Sequence, residues 1–309
     1  MQIKKVMVAV IATAAVSLSL AGCSSTTSSA SADNAKIQAV GAENEYASVI
    51  SQVGGKYVTT TAIMNNPNTD PHTFEASASV AKTVSAAQLI VQNGLGYDAF
   101  MTKIESASSS SSRKVIVAQN VLGLPDSTPN PHLWYDPKTM PAVAKQIAAD
   151  LSSIQPAHKA YFESNLKTFD ASLTTWTDAL ASFKSAYPGT TVAVTEPVGD
   201  YMLQAAGADI KTPFSLQAAI MNDTDPSPQD SATQDSLFTN KSVKVFVYNE
   251  QVTDAITAKY LALAHQNNIP VVGVYETMPT PGYTYQTWMM AELNALKKAV
   301  TDGTSTAKL

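Results

Sequence analysis

One stretch settles the overall plan of the chain. Phe162, Leu166, Phe169, Leu173, Trp176, Leu180 and Phe183 recur at alternating spacings of four and three residues, which places them all on one side of an α-helix. Pro156 suits a helix's first turn, and Pro188-Gly189 ends the pattern. Roughly 30 residues at ~1.5 Å rise each would span about 45 Å, enough to run along a pair of domains. A seven-residue repeat is also the signature of a coiled coil. Only about three heptads are present, and one helix packed across two lobes accounts better for so short a run.

On both sides of this helix, short β-branched runs alternate with helical patterns. Apolar runs at 37–40, 57–64, 89–91 and 114–117 precede it, with helical stretches at 45–53 and 76–87. Runs at 191–194, 243–248 and 271–274 follow it, with helical stretches at 254–265 and 291–300. Such alternation marks βαβ units and a parallel sheet. The expected fold class is α/β: two parallel-sheet lobes, residues 36–153 and 188–309, joined by one long helix over 154–187. No fixed-period repeat is visible, and the serine run at 108–112 reads as an exposed loop.

The first residues carry a different message. Lys4 and Lys5, an apolar stretch over 6–20 and then Leu20-Ala21-Gly22-Cys23 have the layout of a secretory signal peptide, not of a membrane span. The apolar core is short of the ~20 residues a span needs. Cys23 is the only cysteine, so no internal disulfide can form. Its position resembles the bacterial lipoprotein signal, which implies cleavage after residue 22, lipidation of Cys23 and anchoring to the outer face of the cell membrane. Each buried methylene contributes about 0.8 kcal/mol, so stable anchoring takes more than one acyl chain. Residues 23–35 are rich in serine and threonine and read as a flexible tether. Losing Lys4 and Lys5 moves the net charge from −5 to −7, and an acidic chain with scattered lysines is unsuited to nucleic acid.

Four histidines are present. His72 lies in Asp70-Pro71-His72-Thr73-Phe74-Glu75 and His132 in Asn130-Pro131-His132-Leu133-Trp134. Proline fixes its own φ and biases its neighbour, so each histidine sits on a stiffened loop, useful to a metal ligand. Spacing alone favours two surface loop histidines, and no local zinc motif is present. His158, near the start of the long helix, and His265, near a helix end where a cation is favoured, read as solvated. Glu196 and Glu276 each directly follow a strand-like run, and ligands of open α/β sheets bind at strand carboxyl ends. Helix capping would favour acids at the same places, so position leaves both roles open.

Taken together, the two Pro-His motifs in this order, the long central helix and Thr195-Glu196 followed by Tyr201 resemble the metal-binding solute-binding lipoproteins of zinc and manganese ABC importers, a group that includes streptococcal adhesin-like lipoproteins. The similarity covers about residues 37–300. It implies two α/β lobes joined by a rigid helix, with one Zn2+ or Mn2+ ion held in the cleft by two ligands from each lobe and delivered to a membrane permease. Carried over position by position, His72 and His132 match the first lobe's ligands. Glu196 matches a third ligand that is histidine in many zinc-type members and glutamate in many manganese-type members. The fourth is usually an aspartate near the last strand. Here the chain departs, and Glu276 is the nearest acid, with Asp200 and Glu250 in reserve. The histidine-rich loop of many zinc-type members is missing. A monomer without enzymatic activity is expected.

Other classes fit less well. A metallohydrolase needs an open water position, which four protein ligands would fill. A receptor for another small solute, such as a chelated metal, would want aromatic or arginine contacts, and with Arg113 the only arginine clamping of an anionic solute is disfavoured. Adhesion, proposed for some members of the group, would leave no distinguishing mark in the sequence.

Overall fold

The computed structural model describes residues 35–68, 74–252, 254–279 and 281–309. The expected signal peptide, Cys23, nearly all of the tether and His72 lie outside the described residues. Among the described residues, no helix is long and apolar enough to cross a membrane, and eight strands form two four-stranded sheets. The first contains β1 (Ile37–Glu43), β2 (Val58–Met64), β3 (Leu89–Gln92) and β4 (Lys114–Val117), in the order β2-β1-β3-β4. The second contains β5 (Thr191–Val194), β6 (Asp209–Ile210), β7 (Val245–Asn249) and β8 (Val271–Val274), in the order β6-β5-β7-β8. Every pairing is parallel. β3, β7 and β8 are buried throughout, as expected of strands covered on both faces. Strand order reverses between β1 and β3 and again between β5 and β7, and in sheets of this kind the ligand crevice opens at the carboxyl ends beside such a reversal.

Several boundaries differ from the sequence expectation. β1 does not stop at Gly41 but continues to Glu43. The helix Asn44–Gly54 begins at once and folds back so closely that a Cβ on Gly41 would strike the backbone nitrogen of Ala47. Glycine is thus a clearance point here, not a terminator. The two-residue β6 was not anticipated, nor were the helices Ala99–Ala107 and Thr139–Ile154. The last helix runs over Tyr285–Asp302, starting six residues before the expected 291 because a capping box between Thr284 and Thr287 fixes its N-terminus.

The long helix is Lys159–Ala186, entered through a 3-10 turn at Pro156–His158. Its 28 residues correspond to about 42 Å. Phe162, Phe169, Leu173, Trp176, Leu180 and Phe183 are buried, and Leu166 is half-buried. Toward the first lobe, Phe162 meets the edge of Tyr57 (6.1 Å between centroids) and the Asn165 amide donates to the Val53 carbonyl (3.0 Å). Toward the second, Trp176 meets the edge of Tyr285 (6.1 Å). One continuous apolar core takes in both lobes and this stripe. His158 is not simply solvated, since its ring stacks on Tyr57 at 3.6 Å. His265 is exposed.

A further connection crosses between the lobes, and another closes the second sheet. The start of the last helix returns to the first lobe, where the Tyr285 hydroxyl donates to the Trp134 carbonyl (2.7 Å) and the Gln286 and Gln52 amides pair (2.7 and 3.1 Å). The final residues then lie along β8, with Gly273 N–H donating to the Thr306 carbonyl (2.9 Å) and Thr306 N–H to that of Val271 (2.8 Å). A Cβ on Gly273 would strike the Ala307 carbonyl.

Because the core is continuous, truncating its central aromatic should weaken both lobes together. Trp176→Ala is expected to cost about 3–5 kcal/mol and to leave one cooperative urea transition, followed by circular dichroism and by fluorescence of the remaining tryptophans. Two separated transitions would mean that the lobes are energetically independent.

Candidate metal site

His132 leaves the first lobe on a loop fixed at several points. The Asn93 amide at the end of β3 donates to the Pro131 carbonyl (2.8 Å), and the Tyr46 hydroxyl donates to Asn93 Oδ1 (2.7 Å). Asn130 organises the ring itself. Its Nδ2 donates to the Pro197 carbonyl (2.8 Å), so its Oδ1 is the acceptor facing both His132 N–H (3.0 Å) and His132 Nδ1 (2.8 Å). Nδ1 must therefore carry a hydrogen. Nε2 is left to face the cleft, in the arrangement by which an outer partner fixes a ligating imidazole. The Tyr201 hydroxyl donates to the Asn130 carbonyl (2.9 Å). Asn130 thus ties the His132 loop to the segment carrying Glu196, which is 3 % exposed just beyond β5.

Glu276 arrives from the second lobe just beyond β8, fully buried. Its N–H and that of Thr277 donate to Gln251 Oε1 (2.7 and 2.8 Å). Asn249 Nδ2 donates to its Oε1 (2.6 Å), and the hydroxyl of Tyr97, a first-lobe residue, donates to its Oε2 (3.0 Å). The same Oε2 lies 3.3 Å from His132 Nε2. With Nδ1 protonated, these are two lone-pair atoms, and they meet at that distance only with a cation between them, a proton or a metal ion.

The lobes are clasped directly behind this pair. The Tyr135 hydroxyl, three residues past His132, donates to the carbonyl of Tyr275 (3.0 Å), the residue before Glu276, and accepts from its N–H (3.2 Å). Glu292 Oε1 is a second acceptor at 3.3 Å and takes the Trp288 indole N–H (2.9 Å). Burial pushes the Glu292 carboxyl up to about 8.

Of the four expected ligands, the described residues place His132 and Glu276 in contact and bring the Glu196 segment to them through Asn130. His72 lies outside the described residues, and without it no group of three or more His, Cys, Asp or Glu is arranged to hold a metal among the described residues. Of the reserve acids, Glu250 is paired with Lys308. Asp200 is buried at the start of the helix Asp200–Ala205, its carboxyl pushed up to about 7 by desolvation. Sequence reasoning missed the buried acids of the first lobe's strand ends: Glu43 at the end of β1, Glu45 just after it, and Asp98 after β3. Desolvation raises all three, with mutual repulsion adding to the rise for Glu43 and Glu45, and Asp98 reaches about 6 even though Asn93 and Gly94 N–H groups donate to it. The strand-end rule that singled out Glu196 and Glu276 would have found Glu43 and Glu45 had β1 been extended past Gly41.

Two parallel α/β lobes braced by one helix, with side chains from both meeting in the cleft, define a class of cleft-binding proteins with a fixed frame. A family model described as zinc-uptake complex component A, periplasmic (ZnuA), matches residues 40–299, and the chain belongs to that family. The manganese-binding lipoprotein MntA of Bacillus subtilis (strain 168) is 26% identical over 160 residues, 50% of this chain and 52% of the relative. The manganese ABC transporter substrate-binding lipoprotein PsaA of Streptococcus pneumoniae (serotype 4) is 31% identical over 116 residues, 32% of this chain and 36% of the relative. The chain spans about half the length of the curated relatives it matches. Among solved structures, a mutant of the laminin-binding adhesin Lmb from Streptococcus agalactiae superposes with a TM-score of 0.70 at 20% identity, over 86% of this chain and 100% of that one. The Cd-bound periplasmic metal binding protein from candidatus liberibacter asiaticus gives 0.69 at 17%, over 86% and 99%. At such identities the likeness establishes the shared fold. The family is one of substrate-binding components, not of enzymes.

The Glu292 carboxyl has a consequence for stability. Its folded value of about 8 lies above the ordinary 4.5, so the folded state holds the extra proton between them. Its contribution is complete below about pH 4.5 and is lost as pH rises through 8. The metal-free protein is expected to melt at progressively lower temperature from pH 5 to 8.5, and Glu292→Gln, which mimics the protonated group, should flatten that fall by several degrees. Identical profiles in calorimetry would show that Glu292 does not titrate in this range.

Proposed function

We propose that this chain is the extracytoplasmic receptor of an ABC importer. It captures one divalent transition-metal ion, zinc or manganese, between His72, His132, Glu196 and Glu276, and passes it to a membrane permease. The observation that carries this is the approach of His132 Nε2 and Glu276 Oε2, one from each lobe, both buried, at 3.3 Å. Two imidazoles and two carboxylates would neutralise the ion's charge in a site where an unpaired charge is very costly. Relatives named for manganese and a family described by zinc uptake favour this reading, and the proposed donor set suits both ions: imidazole favours zinc, carboxylate oxygen manganese. Lipid on Cys23 would hold the protein, as a monomer, at the outer membrane face beside its permease, and the relatives named as lipoproteins favour that placement.

Metal-stripped wild type is expected to bind one equivalent of zinc or manganese, measured by calorimetric titration, and the better ligand to raise the melting temperature more. His72→Ala and His132→Ala should each weaken binding by more than about 100-fold, beyond the roughly 10–100-fold loss typical of an outer partner. Stoichiometric binding indifferent to both substitutions would sink the four-ligand site. Both imidazoles must be neutral to ligate, so affinity should fall as the pH is lowered. A flat profile from pH 7.5 to 5.5 would rule out histidine ligation.

A further inference from the structure

We propose that Asn249 is a positioning residue that sets which metal the site prefers, by restricting Glu276 to donation through one oxygen. This rests on the four-ligand site proposed above. Asn249 is the last residue of β7, at the strand-order reversal of the second sheet, and is 1 % exposed. Its orientation is fully determined. Its N–H donates to Thr195 Oγ1 (3.0 Å), and its Oδ1 accepts from Gln251 N–H (3.0 Å), so the atom facing Glu276 Oε1 at 2.6 Å is the amide nitrogen. Gln251 then takes the Glu276 N–H. The turn after β7 thereby holds both the backbone and one carboxylate oxygen of Glu276.

The two oxygens consequently do different work. Oε2 faces His132 Nε2 and lies where a shared cation would sit. Oε1 receives the shorter hydrogen bond, which draws on its lone pairs and its charge, and is the poorer metal donor. With two imidazole nitrogens, one Glu276 oxygen and at most two from Glu196, the protein offers at most five donors; released from Asn249, Glu276 would supply a sixth. Zinc is satisfied by four ligands in a tetrahedron, whereas manganese favours an octahedral, oxygen-rich shell. The amide of Asn249 therefore tilts the site toward zinc. Tyr97 acts on the other oxygen, the one that donates to either metal, and should influence affinity without influencing choice.

Zinc and manganese are titrated in competition with a common chelating indicator against metal-stripped wild type, Asn249→Leu and Tyr97→Phe, and the zinc-loaded proteins are measured by X-ray absorption. Asn249→Leu is expected to narrow the zinc-over-manganese preference by roughly tenfold, the scale on which outer partners act, and to add an oxygen to the zinc shell. Tyr97→Phe should weaken both metals by similar factors. If the leucine variant fails to fold, Asn249→Ser withdraws the same amide and is read the same way. A preference unchanged within about twofold, with wild-type zinc coordination, overturns the role of Asn249 while leaving the site standing. So does an equally large change of preference from Tyr97→Phe. A folded wild type that binds neither metal is a failure of the site itself and removes the proposal with it.

Discussion

The Tyr135 hydroxyl grips both the N–H and the carbonyl of Tyr275, and the cleft depends on this grip. It spends one phenol on two backbone groups that would otherwise be buried and unpaired, each costing about 1–3 kcal/mol. It also fixes the spacing of His132 and Glu276, because Tyr135 is three residues from one and Tyr275 is next to the other. Asn130 performs the matching task on the opposite side, joining the His132 loop to the Glu196 segment through Pro197. Side chains that make no claim on the ion thus set the distances between those that would.

Buried carboxyl groups give the cleft its electrostatic character. Glu43 and Glu45 stand at and just beyond the end of β1 and Asp98 follows β3, and repulsion from neighbouring carboxylates adds to the desolvation of Glu43 and Glu45. The sole arginine is engaged elsewhere, donating to the Ala87 and Ser85 carbonyls. Carboxyl groups in such a setting keep their protons unless a cation stands close by. A cation arriving beside such groups would let them release their protons, and the cleft favours positive charge through that exchange.

Much of this was legible in the sequence where the signal was periodic or local. The stripe from Phe162 to Phe183 announced the brace because a helix buried on one side must repeat that way. Glu196 and Glu276 stood out because they follow strands whose β-branched content is plain. β6 was invisible, since two residues carry no pattern. The helices Ala99–Ala107 and Thr139–Ile154 were passed over because serine-rich and alanine-rich stretches dilute the apolar repeat. Asn249, Tyr97 and Tyr135 were beyond reach for a different reason. Each owes its role to a partner far along the chain, and nothing local to Tyr97 points 179 residues ahead to Glu276.

The closing residues of the chain run beside β8, and their backbone bonds at Thr306 occupy that strand's outer side. An outermost strand with free N–H and carbonyl groups is a template on which other chains can add. In the second sheet one border is a strand of only two residues, Asp209–Ile210, and the other is sealed by the chain's own tail, with Gly273 giving up its side chain to admit it. Neither border offers a neighbouring copy a ledge to pair with, which guards against strand-by-strand aggregation wherever many copies crowd together.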